Sequence, residues 1–347
     1  MKNILIISPA YPSAINGLGD YSVMLGKSLK NTHLSIFYAG LPQKETVQLS
    51  PYAVINQEQS IFKLVEKNKI DLIFINYSNY GYQKKGIPFW LLAELKKTKN
   101  KGLLILTFFH EVYASGKPWQ SVFWLKPLQR KIFRQLYLIS DFNFCSNDRV
   151  LKIIKDETYD KGLKAKNIGI FSNIPEITID KPWINRKNNA IVFGSLGRRN
   201  AVYKNVTALR NLMKSLDLKG IIDIGPGDTI EILENLQLPY EIKNELPATE
   251  ISIIFKNNKW AIIDYHDSLL GKSGIFAAYA SHGLVTINLS IDHENENDFL
   301  VKGEDYLVYN DLERDYEQVS LNIFEWYRSR NLKNHTDKII EIIDSFN

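Results

Sequence analysis

Ala190-Ile-Val-Phe-Gly194-Ser195-Leu-Gly197-Arg198-Arg199 reads as a short buried strand, a glycine turn and the start of a helix-like run that ends near Lys204. An unbroken apolar strand is one covered on both faces, as in a parallel sheet with helices above and below. The same grammar recurs on either side. Apolar, β-branched runs at 4–7, 34–38, 72–76, 103–109 and 142–145, then at 220–224, 260–265, 284–289 and 306–309, alternate with helix-like stretches. This alternation predicts an α/β protein with parallel sheets. Between Ser172 and Asn189 prolines, polar residues and charges replace the periodicity, which places a domain join there. The expected organisation is a first domain over 1–178, a second over 179–330 and a terminal helix over 331–347. Val319, Ile323, Phe324, Tyr327, Ile339, Ile340 and Ile343 stand at helical spacing toward the end, so the tail reads as one or two helices.

The 347 residues suit two domains, each large enough for its own core. A composition of 45% hydrophobic and 23% charged residues is that of a folded globular chain. No apolar stretch approaches the roughly 20 residues of a membrane-spanning helix. The start, Met1-Lys2 into the apolar run Ile4 to Ile7, lacks a cleavage pattern and reads as a first strand rather than a signal peptide, so the expected location is the cytoplasm. Cys145 stands alone in an apolar run and has no chemistry assigned to it. The net charge of +5 is compatible with a nucleic acid, an anionic membrane or a phosphorylated small molecule, and its distribution must decide. From Val112 to Ser140 there is no acidic residue, while Lys117, Lys126, Arg130, Lys131 and Arg134 interleave with Trp119, Phe123, Trp124, Phe133 and Tyr137. Residues 117–137 are therefore either a peripheral membrane contact or a core helix with a solvated face, the second being slightly favoured.

The strand and glycine turn quoted above, with Gly197, Arg198, Arg199 and Lys204, supply what a diphosphate needs: approachable amides, a planar fork and a point charge. The rival is an arginine pair on a solvated loop. A second basic turn follows the strand at 260–265, where Lys272-Ser273-Gly274 opens an alanine-rich helical run whose first amides can face an anion. If both turns leave one doubly wound sheet at its carboxyl edge, one diphosphate can be held by both. Gly271-Lys272-Ser273 is not a P-loop, because His266 occupies the position of the upstream glycine.

After the first strand comes a loop containing Asn16-Gly17-Leu-Gly19-Asp20-Tyr21, ahead of a helix-like run over 22–29. Gly17 and Gly19 allow close approach of a ligand, or simply turn the chain into the helix. A dinucleotide fingerprint does not fit: Ser22 stands at the third glycine position and Phe37-Tyr38-Ala39-Gly40 lacks the acidic residue. His110, immediately after the 103–109 strand, is placed to act from a strand end or to be an ordinary satisfied polar group. His266 with Asp267 is a second strand-end pair, Asp264 with Asp267 suggests a metal site only weakly, and Asp292, Glu294, Glu296 and Asp298 lack the spacing of a calcium loop, so no metal site is assigned.

The ordered set Asn16-Gly17-Leu-Gly19-Asp20-Tyr21, Thr107-Phe-Phe-His110, Ser172-Asn173-Ile-Pro, Gly194 to Arg198 with Lys204, Asp223-Ile-Gly225-Pro-Gly227 and Lys272-Ser-Gly274 to His282-Gly283 resembles the large retaining glycosyltransferases of GT-B fold, the sucrose, glycogen and bacterial polysaccharide transferase type. The resemblance spans nearly the whole chain. It implies two facing Rossmann-like domains and a C-terminal helix crossing back. It also implies a nucleotide-sugar donor, UDP- or GDP-linked, and a sugar or lipid-linked sugar acceptor, with no other cofactor, no metal and no nucleic acid partner. Asp20 and Tyr21 would lie at the acceptor and Gly17 and Gly19 near the donor phosphate. His110, Arg198 and Lys204 would be catalytic, with Gly197, Arg199, Gly225, Lys272, Ser273 and Gly274 holding the donor. The family's usual glutamate pair is missing: the matching positions fall near Leu270 and Ala278. Two alternatives follow, a sugar-nucleotide epimerase of the same fold and a non-catalytic carbohydrate- or membrane-binding relative.

Overall fold

A computed structural model of the chain describes residues 2–12, 17–32, 34–44, 46–56, 60–114, 116–158, 162–176, 181–290 and 299–346. It divides into two compact units, residues 1–169 with 335–347 and residues 170–334. The first unit carries a seven-stranded sheet in the order β3-β2-β1-β4-β5-β6-β7. Its strands are β1 (Asn3–Ile7), β2 (Ser35–Gly40), β3 (Tyr52–Val54), β4 (Leu72–Tyr77), β5 (Leu104–Phe109), β6 (Phe142–Cys145) and β7 (Ala165–Asn167). The second carries a six-stranded sheet in the order β10-β9-β8-β11-β12-β13. Here the strands are β8 (Lys187–Phe193), β9 (Ile221–Ile224), β10 (Tyr240–Ile242), β11 (Asn258–Ile263), β12 (Val285–Asn288) and β13 (Leu307–Val308). Every ladder in both sheets is parallel.

Each sheet is doubly wound. On β8, Ala190 and Val192 enter one core cluster and Ile191 the other, as the two-residue period of a strand demands when helices cover both faces. The expected α/β class with two Rossmann-like parallel sheets is therefore present. The three strands not anticipated, β3, β7 and β10, are three-residue edge strands with partly exposed side chains, too short to show a period. Strand order reverses between β1 and β4 in the first sheet and between β8 and β11 in the second. In such sheets the crevice at the carboxyl ends of the two strands flanking the reversal is where ligands bind.

The expected join at 178–179 lies outside the described residues, but the segment before it already belongs to the second unit. Ile174 is buried in one of that unit's cores, Ser172 N–H donates to Tyr327 Oη at 3.1 Å, and Tyr327 donates to Glu176 at 2.6 Å. The tail forms two helices, Tyr316–Arg328 and Leu332–Asp344. The second of these packs into the first unit from His335 onward, with Ile339 and Ile343 buried and Thr336 Oγ1 bonded to Ser28 Oγ at 2.9 Å. The chain thus leaves the first unit, builds the second and returns. No helix among the described residues is long and apolar enough to cross a membrane.

The first helix runs Gly17–Lys30, starting five residues before the expected run. Its opening glycines are inside the first turn rather than in a loop. A Cβ on Gly19 would lie 2.8 Å from Ala10 O, so glycine is what lets the helix sit against the chain leaving β1. Asp20 in the first turn complements the helix dipole.

Candidate functional site

In the second unit the turn after β8 leads into the helix Leu196–Tyr203, which lies along the carboxyl edge with both ends on the segment after β11. Near its start the Arg198 guanidinium stacks over the Tyr265 ring at 4.2 Å. Just past its end Asn205 donates to Asp264 Oδ2 at 3.1 Å. The Gly194 turn also reaches the start of the Gly274–Ala280 helix, since a Cβ on Gly194 would meet Ile275 Cδ1 at 2.5 Å. The two basic turns singled out in the sequence are therefore brought together at the β8/β11 reversal. Arg198 and Lys204 are exposed, and neither forms an ion pair among the described residues. The N–H groups of Leu196 and Gly197, in the first turn of their helix, find no acceptor among the described residues, and neither do those of Gly274 and Ile275. A planar cation, an exposed lysine and four amides at helix starts are groups of the kind that an anion needs.

Several expected site residues have other work. Arg199, one position from Arg198, is 0% exposed. All five of its N–H donors are engaged. Nε donates to Gly194 O at 3.1 Å, one terminal nitrogen pairs with Asp223 and reaches Thr229, and the other bonds Pro226 O and Gly227 O. Asp223, also 0% exposed on β9, accepts from Tyr203 as well. Arg199 is thus not a donor ligand but a buried pin joining the turns after β8 and β9. Gly225 is likewise consumed by packing: at φ 144° it lies against β8's turn so closely that a Cβ would be 2.1 Å from Gly194 O. Ser273 Oγ accepts from Phe276 N–H at 3.2 Å and its own N–H is taken by Leu270 O at 2.9 Å, which leaves the hydroxyl proton and the Gly274 end of that turn for an anion. Lys272 is half-buried and already engaged. Gly197, Gly274 and, in the first unit, Gly17 differ from Gly19 and Gly225. A Cβ at any of the three would meet nothing within 4 Å, so packing gives no reason for glycine there.

In the first unit His110 follows β5, its N–H held by Tyr77 O at 3.0 Å. Its Nε2 lies 3.2 Å from Asn76 Oδ1, while Asn76 Nδ2 donates to Ser22 Oγ at 2.8 Å. With the amide fixed by Ser22, Nε2 is the nitrogen that carries the proton. Phe108 stacks at a tilt on the imidazole, centroids 4.3 Å apart, and Tyr21 meets it edge-on at 5.0 Å. Tyr21 was expected at the acceptor, but it is buried, with its hydroxyl 2.5 Å from His335 Nε2 on the last helix. Burial drives the His335 imidazole down to about 3 and the Tyr21 phenol well up, so a neutral tyrosine donates to a neutral histidine. Asp20 is half-buried on the same helix and already engaged.

The residues sequence reasoning passed over are Asn76, Tyr265 and His335. Asn76 carried a signal, being a lone amide at the end of an apolar strand. Tyr265 stood at the end of the 260–265 run without a role, and nothing local marks His335. Asp267, half of the metal candidate, accepts from Asn288 at 2.6 Å, and His266 meets Ser268 Oγ at 2.9 Å. Among the described residues no three or more of histidine, cysteine, aspartate and glutamate converge on a point that would hold a metal ion. The acidic run at 292–298 lies outside the described residues.

No family model matches the chain, and no curated protein matches it. Among solved structures it is similar to a glycosyltransferase from Rickettsia africae, with 12% identity, a TM-score of 0.65, and 98% of this chain and 97% of that one covered. It is similar to the α,α-trehalose 6-phosphate synthase of Burkholderia multivorans at 12% identity and a TM-score of 0.61, over 99% and 96%. A Listeria monocytogenes protein assigned as a UDP-N-acetylglucosamine 2-epimerase matches at 10% identity and a TM-score of 0.55, over 99% and 96%. At these identities the likeness establishes architecture: the chain has the GT-B fold.

Proposed function

We propose that the chain is a glycosyltransferase that moves a sugar from a UDP- or GDP-linked donor to a sugar or lipid-linked sugar acceptor in polysaccharide or glycoconjugate synthesis, and that it works in the cytoplasm without a metal ion. The observation that carries this reading is Arg198, held over Tyr265 without an ion-pair partner among the described residues, at a strand-order reversal edged by unengaged helix-start amides. In this reading Arg198, Lys204 and Lys272 take the charge that develops on the diphosphate as the bond from the sugar's anomeric carbon to the phosphate oxygen breaks. The acceptor hydroxyl forms the new bond on the same face and gives its proton to the departing phosphate oxygen. Preorganised cations at a leaving group are among the larger contributions an enzyme makes, and no carboxylate pair is needed. His110, with its Nε2 proton directed to Asn76, keeps in this reading the catalytic role that the resemblance implies.

A thermal-shift series with UDP, GDP, ADP and their sugar conjugates tests the donor class, because a ligand of the folded state raises apparent stability. Arg198→Ala/Lys204→Ala should abolish the shift and the transfer while melting like the parent. Unchanged transfer in that variant refutes the reading, and no shift with any nucleotide supports a non-catalytic relative. The epimerase alternative is favoured by the Listeria likeness alone. It requires donor to be converted to its epimer with no acceptor added, which product analysis separates from transfer.

A further inference from the structure

The helix Ser121–Ile139 is apolar on two opposite faces. Its inner stripe, Ile132, Phe133, Leu136 and Tyr137, is buried, with Phe133 edge-on to Phe109. The outer stripe is bare: Trp124 is 71% exposed, Phe123 40%, Leu128 42% and Leu138 61%, and Trp119 just ahead of the helix is 77% exposed. A surface helix of a globular protein ordinarily presents charge on its outer face. Two large indoles and a phenylalanine within six positions form a patch of the kind that marks an interaction surface. The Trp124 indole is prepared for an apolar surround. Trp124 Nε1 donates to Pro118 O at 3.1 Å, so the ring enters such a medium without an unmet donor, and it meets Phe123 edge-on at 5.4 Å.

The charge around the patch identifies the partner. Arg130 and Arg134 are already paired with Glu157. Lys117, Lys126 and Lys131 form no ion pair among the described residues, and no acidic side chain occurs anywhere from Val112 to Ser140. Lys117 and Lys126 lie over the Trp119 and Tyr113 rings at 5.3 and 5.4 Å, which keeps cation and aromatic surface side by side. Indoles beside uncompensated lysines fit the boundary of an anionic bilayer, where rings sit at headgroup depth and ammonium groups meet lipid phosphates. A second copy fits badly, since a two-fold contact would set this basic patch against itself. We propose that residues 117–138 form a monotopic docking surface for an anionic membrane, a property independent of the catalytic reading.

The test is co-sedimentation of the full chain with vesicles of phosphatidylcholine alone and of equal parts phosphatidylcholine and phosphatidylglycerol. Binding to the anionic vesicles and not to the neutral ones is expected. Trp119→Ser/Trp124→Ser should weaken it by about tenfold for each indole, from the apolar area withdrawn from water. Lys117→Glu/Lys126→Glu/Lys131→Glu should weaken it by about fivefold or more for each lysine. All five positions are exposed or half-buried, and each variant's melting curve should match the parent's. Brominated lipid should quench the parent's tryptophan fluorescence, whereas the double tryptophan variant, which keeps Trp90, Trp183, Trp260 and Trp326, should resist. Absence of binding to anionic vesicles, equal binding by the tryptophan variant, or a parent dimer that this variant converts to monomer would each overturn the proposal.

Discussion

Replacing Arg199 with methionine separates a buried pin from a phosphate ligand more sharply than any other single change. The substitution removes a fully buried guanidinium and leaves the Asp223 carboxylate, also fully buried, with only the Tyr203 and Thr229 hydroxyls. It also strips donors from Gly194 O, Pro226 O and Gly227 O, which hold the turns after β8 and β9. Removing one member of a buried ion pair costs about 3–5 kcal/mol, because the surviving charge stays out of water. For a unit of this size that corresponds to a loss on the order of 10 °C in the melting transition. Arg199→Met/Asp223→Leu withdraws both charges and should recover at least half of the loss, since an uncharged pair of similar volume is often tolerated. The assay is thermal unfolding of parent, single and double variants, with nucleoside diphosphate titrated into each below its transition. If Arg199→Met melts within about 2 °C of the parent while losing nucleotide binding, the pin argument is wrong and the residue is a ligand.

Three further outcomes follow from the geometry. Tyr265→Leu should weaken nucleoside diphosphate binding less than Arg198→Ala does. It removes only the stacking surface, worth about 0.5–1 kcal/mol at an exposed site, whereas the arginine loses charge-assisted bonds worth about 1.5–3 kcal/mol; calorimetric titration ranks the two. Gly225→Ala should destabilise by more than about 2 kcal/mol, given its φ of 144° and the Gly194 carbonyl in its path, while Gly197→Ala, with open space around it, should stay within about 1 kcal/mol; urea unfolding of both checks the contrast. His335 and His282 are driven by burial to about 3 and about 4. Both are neutral when folded, and an unfolded histidine protonates near pH 6.5. Their stabilisation is therefore complete above that pH and is lost as pH falls from about 6.5 toward 4, at up to about 1.4 kcal/mol per pH unit for each. Urea titrations from pH 7 to 5 should show that slope, and His335→Gln should flatten its share in the first unit.

The fold was legible because ten strands were apolar runs long enough to declare a period, and it blurred only at three short edges. The basic turns were legible as chemistry, but adjacency in sequence concealed a division of labour. Arg198 and Arg199 point about 100° apart on one helix. A clue to which faces inward was present: Arg199 stands three and four positions before Val202 and Tyr203, in the buried stripe, and Asp223 is the single acid in the buried strand Ile-Ile-Asp-Ile. Gly19 and Gly225 were misread for a related reason. A glycine chosen for contact between two backbones looks, in one dimension, the same as one chosen for a ligand. Tyr21 was beyond local reading, because its partner His335 stands 314 positions away.

That distant pairing has a consequence for how the molecule is made. The first unit is assembled from two stretches of chain with all of residues 170–334 between them. During synthesis at about 5–20 residues per second, the 314 positions between them mean that Tyr21 and its neighbours wait roughly fifteen to sixty seconds before His335 is made. For that interval the N-terminal sheet exists with the seat of its last helix unfilled. The first unit thus stays incomplete until residues 335–347 have appeared, while the second, contiguous in the chain, can close as soon as its own residues have been made.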